Sequence, residues 1–248
     1  MGPLREPLEQ SARPWRQRVG DLLRRVGRCE VVTLAAVGAI AAGIWGFAEI
    51  ADEVVEGQTH TFDRRVLLAM RDPSNPGDPW GPKWLEEIGR DFTALGGMGI
   101  LTGLTLAVCL FLAMQRKHHA MILVLAAVGG GLLLSLLLKR GFDRPRPDLV
   151  PRLSYVYTAS FPSGHSMMSA VTYLTLGALL ARLQTTRRLK VYLIVLPVLV
   201  TLAVGVSRVY LGVHWPTDVL AGWAAGSAWA LMCWLAASWL QRRGKVEQ

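Results

Sequence analysis

Six stretches free of Asp, Glu, Lys and Arg constrain this chain more than any other feature: residues 31–48, 92–115, 118–138, 159–181, 191–207 and 219–241. A helix rises about 1.5 Å per residue and a bilayer's hydrocarbon layer is about 30 Å thick, so apolar runs of about 17 to 25 residues have the length to cross it. These runs are apolar on all sides, without the polar face that a helix on the surface of a soluble domain needs. With 52% hydrophobic residues and only 18% charged ones, the whole chain agrees. The expected fold class is therefore all-α: a polytopic membrane protein with six transmembrane helices in a bundle.

Charge orients the bundle, because Lys and Arg flanking membrane spans stay on the cytoplasmic side. Residues 1–30, the turns at 115–119 and 182–190, and the tail after residue 240 fall on one side and carry 16 basic residues. The other side carries 11, and five of those lie in the 49–91 loop among ten acidic residues. Both termini are thus expected in the cytoplasm. Residues 1–30 form a basic cytoplasmic segment, 31–241 the six-span domain and 242–248 a cytoplasmic tail. The 30 residues ahead of the first run are too long and too mixed in charge for a cleaved signal peptide, so that run reads as an uncleaved anchor. The formal net charge of +9 is then largely a topology signal, and no nucleic-acid partner is expected. Three widely spaced cysteines, Cys29, Cys109 and Cys233, form neither a metal pattern nor a disulfide scaffold.

The long outer loop at 49–91 has features of its own. Pro73, Pro76, Pro79 and Pro82 recur every third residue, which matches a polyproline II spacer. Trp84, Leu85, Ile88 and Phe92 then follow at helical spacing, as an interfacial helix beside a lipid entrance or a helix packed on its neighbours would require. Gly129, Gly130, Gly131, Gly222 and Gly226 point to close helix packing, and Pro197 to a kink in the fifth span. Trp80, Trp84 and Trp215 on the outer side and Trp239 on the inner side fit aromatic belts.

On the outer side three polar segments meet that a plain anchor has no need of. The first runs from Lys139 to Arg146 and Pro147, the second is Pro162-Ser163-Gly164-His165, and the third is Ser207-Arg208 followed by His214 and Asp218. Lys139, Arg146 and Arg208 are three cations, and the planar fork of arginine suits a tetrahedral oxyanion. Ser163 can cap the helix it opens, and Gly164 lets backbone N–H groups approach an anion. His214 and Asp218 stand four apart, so on a helix the carboxylate can hold one ring nitrogen and leave the other as a nucleophile. His165, from another span, can protonate a leaving oxygen. The set describes phosphoryl transfer through a phosphohistidine. Singly, each residue has an ordinary role as cap, snorkelling cation or structural pair; together on one face they describe a site. Metal ligation by His165, His214 and Asp218 is the competing chemistry, and the three nearby cations oppose it. His60, His118 and His119 are expected to be solvated.

These residues, in this order and spacing, resemble the complete three-part signature of the type 2 phosphatidic acid phosphatase (PAP2) superfamily, and residues 90–97 resemble a stretch in its bacterial members. The resemblance implies a metal-independent phosphohydrolase without cofactor. In it His214 is the nucleophile, Asp218 its orienting partner and His165 the acid, while Lys139, Arg146, Ser163, Gly164 and Arg208 bind phosphate. It further implies a lipid phosphate or diphosphate substrate, such as undecaprenyl diphosphate, phosphatidylglycerol phosphate or phosphatidic acid. The expected location is a bacterial inner membrane, with the site facing the periplasmic or extracellular side. A lipid phosphotransferase using the same phosphohistidine, and a non-catalytic lipid-binding protein, are the alternatives; nothing in the sequence specifies an oligomeric state.

Overall fold

A computed structural model describes residues 15–152 and 159–242, and side chains within residues 30–241. Eight helices occupy these residues: α1 (Trp15–Val55), α2 (His60–Ala69), α3 (Lys83–Leu95), α4 (Met98–Met114), α5 (His118–Gly141), α6 (Gly164–Arg182), α7 (Arg187–Tyr210) and α8 (Pro216–Arg242). No strand occurs among the described residues, and the nearest thing to one is an isolated bridge between Arg71 and Pro79. Two units divide the chain at Gly38. The first holds the N-terminal part of α1, and the second holds everything from Ala39 on, including the site.

Four helical segments are long and apolar enough to cross a membrane: Glu30–Val55, His118–Gly141, Arg187–Tyr210 and Pro216–Gln241. A fifth is possible if the bent pair α3 and α4 counts as one span. Leu106, Leu110, Leu133, Leu136, Leu199 and Leu202 are all exposed, as lipid-facing side chains should be. The fourth expected run, now α6, falls short of the same measure for a physical reason. It lies against α4, α5, α7 and α8, and Ser163, Ser166, Ser169, Thr172 and Thr175 recur along it every third residue, all buried. A helix walled by protein needs no lipid-compatible surface.

Small residues set the spacing around α6. A Cβ added at Gly226 would lie 2.5 Å from the Met167 carbonyl oxygen, and one at Gly222 would lie 2.7 Å from that of Ser163. These glycines therefore serve α6–α8 packing, as small residues do at membrane helix interfaces. Gly130 and Gly131 meet Trp229 and Val171 in the same way, whereas Gly129 has open space. Pro197 lies inside α7, and its ring fills the space beside Gly177.

Four expectations need correction. The run at 92–115 is not one straight span, since α3 ends at Leu95 and α4 restarts at Met98 at 47° to it. Gly96 lies at that break, where a Cβ would be 2.4 Å from Val204 and 3.3 Å from His165. The proline-rich segment at 71–82 is a folded loop rather than an extended spacer. Asp72 accepts from the Ser74 amide at 2.7 Å and Asn75 from the Gly77 amide at 3.2 Å, so Asx turns overrule the proline period. The Trp80 amide then donates to the Met70 carbonyl at 3.0 Å and closes the loop. Trp215 is no belt residue: it is buried, with its indole N–H on the Pro145 carbonyl at 3.1 Å. Trp80, Trp84 and Trp239 are exposed. The 49–91 segment, expected as a loop with one helix, also holds the end of α1 and all of α2. Residues 1–14 and 243–248, at the two ends, lie outside the described residues.

Candidate active site

The C-terminal end of α7 builds the first half of the site. Gly212, at φ +71°, turns the chain back in the left-handed conformation that glycine tolerates best. The amides of Val213 and His214 thereby donate to the Arg208 carbonyl at 3.1 and 3.3 Å. The six-residue step from Arg208 to His214 is thus a helix end plus a return turn, which sets the imidazole beside the arginine. Pro216 then opens α8 at a position where its missing N–H costs nothing. Asp218 follows in the first turn.

His214 is fully buried, and its partners determine its tautomer. Arg146 Nη1 lies 3.0 Å from Nε2, and a guanidinium only donates, so Nε2 is the accepting nitrogen and Nδ1 carries the proton. Nδ1 donates to Asp218 Oδ2 at 3.2 Å. The second ring nitrogen is therefore a lone-pair donor aimed at a cation. Burial pushes the His214 imidazole well below its ordinary pKa, the charges of Arg146 and Arg208 push the same way, and Asp218 opposes them. Burial likewise lowers Arg146.

Arg146 also donates to the Val213 carbonyl at 2.7 Å and, through Nη2, to the Ala159 carbonyl at 3.3 Å. Lys139, in the last turn of α5, donates to the same Ala159 carbonyl at 2.9 Å. Its stem crosses Gly164, where an added Cβ would come 3.2 Å from Lys139 Cε. Gly164 is therefore there for close approach. Ser163 caps α6 by accepting from the Ser166 amide, and its own amide donates to the Asp218 carbonyl at 2.9 Å. That bond ties the start of α6 to the first turn of α8. His165, two residues on, lies partly buried against Gly96 and within electrostatic reach of Arg208, His214, Lys139 and Arg146.

Arg208 differs from its neighbours. It is 1% exposed, and Nε, Nη1 and Nη2 all lack a hydrogen-bond partner. A buried guanidinium with five unused N–H donors is costly unless an anion meets it. All eight expected site residues thus gather at one end of the helices, and the arrangement can hold a tetrahedral anion among Arg208, Arg146 and Lys139 next to Nε2 of His214. Among the described residues, no group of three or more His, Cys, Asp or Glu side chains is placed to hold a metal ion. His60, His118 and His119 are exposed.

The superfamily model described as "PAP2 superfamily" matches residues 119–242, half of the chain. The chain belongs to the PAP2 superfamily. It is 36% identical over 144 residues, 58% of this chain and 70% of the relative, to phosphatidylglycerophosphatase B of Bacillus subtilis (strain 168). It is also 40% identical over 68 residues, 27% of this chain and 29% of the relative, to an undecaprenyl-diphosphatase of Sulfolobus acidocaldarius. Among solved structures it resembles a transmembrane PAP2-type phosphatidylglycerolphosphate phosphatase from Bacillus subtilis, with a TM-score of 0.68 and 28% identity, covering 84% of this chain and 98% of that one. As a PAP2 protein the chain is a multi-pass membrane enzyme of the phosphatase type.

Sequence reasoning missed several residues that contact the candidate site. Arg144 bridges Asp218 and Asp63, Ser160 donates a short hydrogen bond to Asp218 Oδ2, and Thr93 shares a 2.6 Å hydrogen bond with Ser207. Arg144 lies within the first motif segment, two residues before Arg146, and its own spacing carries no separate signal. Asp63 was one of ten acidic residues in its loop, and nothing in its spacing sets it apart.

Proposed function

We propose that this chain is a metal-independent lipid phosphatase that works through a phosphohistidine on His214. Arg208 carries the proposal: a fully buried cation with no protein partner, one turn from a histidine whose tautomer leaves Nε2 as the nucleophile. Arg208, Arg146 and Lys139, with the Ser163–Gly164 turn, hold the phosphoryl oxygens as their charge grows. Nε2 attacks phosphorus, the bond from phosphorus to the lipid oxygen breaks, and His165, which takes up a proton when the anionic phosphate offsets the surrounding cations, gives that oxygen its proton. Water then attacks phosphorus as neutral His165 takes one of its protons, the N–P bond breaks and returns its electron pair to Nε2, and inorganic phosphate leaves. Three cations supply the charge that a metal would otherwise bring, and they would repel one.

In the proposed topology six spans cross the membrane: the apolar part of α1, the α3–α4 pair, α5, α6, α7 and α8. Both termini, including residues 1–30 and 242–248, are cytoplasmic, and 31–241 form one catalytic domain. The site then faces the outer leaflet of a bacterial inner membrane. The charge count across the loops supports this orientation, as does the gathering of Asp63, Arg146, Ser163 and His214 at one end of the bundle. Relatives bear the names phosphatidylglycerophosphatase and undecaprenyl-diphosphatase, and the substrate proposed here is a lipid phosphate or diphosphate of that kind, with phosphatidic acid a third candidate.

Purified protein in detergent, assayed for phosphate release from a panel of these lipids, tests the proposal. Turnover should survive EDTA, be blocked by orthovanadate, and give the free lipid alcohol, or the monophosphate from a diphosphate, with or without an added acceptor lipid. Turnover abolished by EDTA and restored by a divalent metal would sink the mechanism, and phosphate moved to the acceptor would make the enzyme a transferase.

A further inference from the structure

We infer that Asp63 and Arg144 are positioning residues for the catalytic pair, acting through Asp218; the inference rests on the phosphohistidine reading of that site. Arg144 is nearly buried, and both of its terminal NH2 groups are fully used. Nη1 donates to Asp218 Oδ1 at 2.6 Å and to Thr217 Oγ1 at 2.8 Å. Nη2 donates to Asp63 Oδ2 at 2.6 Å and to Thr59 Oγ1 at 2.9 Å. The guanidinium also lies over the Trp215 ring, 5.8 Å from its centroid. Asp63 is wholly buried and accepts from the Thr217 amide at 3.0 Å, so it caps the first turn of α8 while it holds Arg144. The same turn carries Asp218.

Two consequences for the chemistry follow. The first is geometric. With Oδ1 claimed by Arg144, and Oδ2 by Ser160, the Trp215 amide and His214 Nδ1, the Asp218 carboxylate has one available orientation. That orientation aims Nε2 of His214 at the cations. The second is electrostatic. Arg144 divides its charge between two buried carboxylates, so the trio of Asp63, Arg144 and Asp218 keeps one net negative charge. That charge faces an imidazole which turns cationic when Nε2 bonds to phosphorus. A guanidinium paired with Asp218 alone would cancel the charge that stabilises this state. Asp63 therefore does more than hold α2 in place, a task that Leu67 already serves by packing with Val150, Val209, Trp215 and Val219.

The test compares purified full-length protein with Asp63→Asn, Thr59→Val, Arg144→Gln and Arg144→Lys, each as monodisperse folded protein, on phosphatidylglycerol phosphate, undecaprenyl diphosphate and phosphatidic acid. His214→Ala runs alongside. Asp63→Asn keeps shape and loses charge; by analogy with outer partners that orient metal ligands, it should lower kcat about 10- to 100-fold and leave KM within about two-fold. Rapid-quench labelling from a radioactive lipid phosphate should show the loss in phosphoenzyme formation, a step that a purely structural role would leave untouched per folded molecule. Thr59→Val, which removes one neutral acceptor, should cost less than Asp63→Asn, and Arg144→Lys should recover part of what Arg144→Gln loses.

A kcat per folded molecule within two-fold of native in Asp63→Asn, with His214→Ala inactive, overturns this inference and leaves the phosphohistidine reading intact. An active His214→Ala overturns both. If none of the Asp63, Thr59 and Arg144 variants gives folded protein, the residues are a folding element and the inference falls.

Discussion

Replacing Arg208 with methionine should make the protein more stable and less active at once. The native guanidinium is 1% exposed and all three of its nitrogens are unpartnered. An unsatisfied buried donor costs about 1–3 kcal/mol and a buried charge more. Methionine fills a similar length with a flexible apolar chain. Apolar replacement of buried ionic groups stabilises by about 1–4 kcal/mol, and about 2 kcal/mol is a fair expectation here. For a chain of this size that raises Tm by about 4–8 °C. Turnover should fall at least about 10³-fold, since one lost transition-state donor alone costs about 10²–10³ and Arg208 offers several. Intrinsic tryptophan fluorescence during a thermal ramp in detergent reads the first effect, and phosphate release reads the second. Orthovanadate adds a third reading. At 100 times its Kd it should stabilise the native protein by about 2.7 kcal/mol and Arg208→Met hardly at all. An Arg208→Met protein that melts below the native one, or keeps half its turnover, would refute the assignment of this arginine to the anion.

Other outcomes are as definite. Asp218→Asn should keep the fold and lower kcat by about 10³–10⁴ with a smaller change in KM, because the amide cannot hold His214 in the required tautomer; equal damage to both constants would point to binding instead. Gly226→Ala should lower Tm by forcing α6 from α8, at a cost of about 1–3 kcal/mol for overpacking, and an unchanged Tm would deny the 2.5 Å approach to the Met167 carbonyl. Burial pushes His214 down to about 3 in the folded protein, from an ordinary 6.5. As pH falls below 6.5 the unfolded chain takes up a proton that the folded chain refuses, so the native protein should lose stability relative to His214→Gln down to about pH 3. A Tm difference that grows in favour of the native protein over that window would reverse the argument.

Much of this architecture can be read from local signals, because in a membrane the apolar run is itself the structural signal. The runs at 31–48, 118–138, 191–207 and 219–241 each became part of a helix of spanning length. What failed did so where neighbours, not composition, decide. Residues 92–115 read as one span, yet Gly96 must leave room for Val204 and His165, and the helix breaks there. The proline period at 71–82 was overruled by two side chains, Asp72 and Asn75, that capture nearby amides. At the site, motif spacing brought Lys139, Arg146, Ser163, Gly164, His165, Arg208, His214 and Asp218 to one place. Asp63 stayed hidden because its partners lie 81 and 154 residues away in sequence. Burial at that distance leaves no periodic trace.

The buried bridge from Asp63 to Arg144 bears on how the protein can be divided. The superfamily match begins at residue 119, and a fragment trimmed to 119–242 would keep every motif residue. It would lose Asp63 and Thr59, leaving Arg144 with half of its acceptors and the start of α8 without its cap. It would also lose Thr93, the partner of Ser207. On the role proposed for Asp63, the recognisable domain is smaller than the working one. Chimeras that exchange the 49–91 segment between relatives should function only when the acidic residue and the arginine are transferred as a pair.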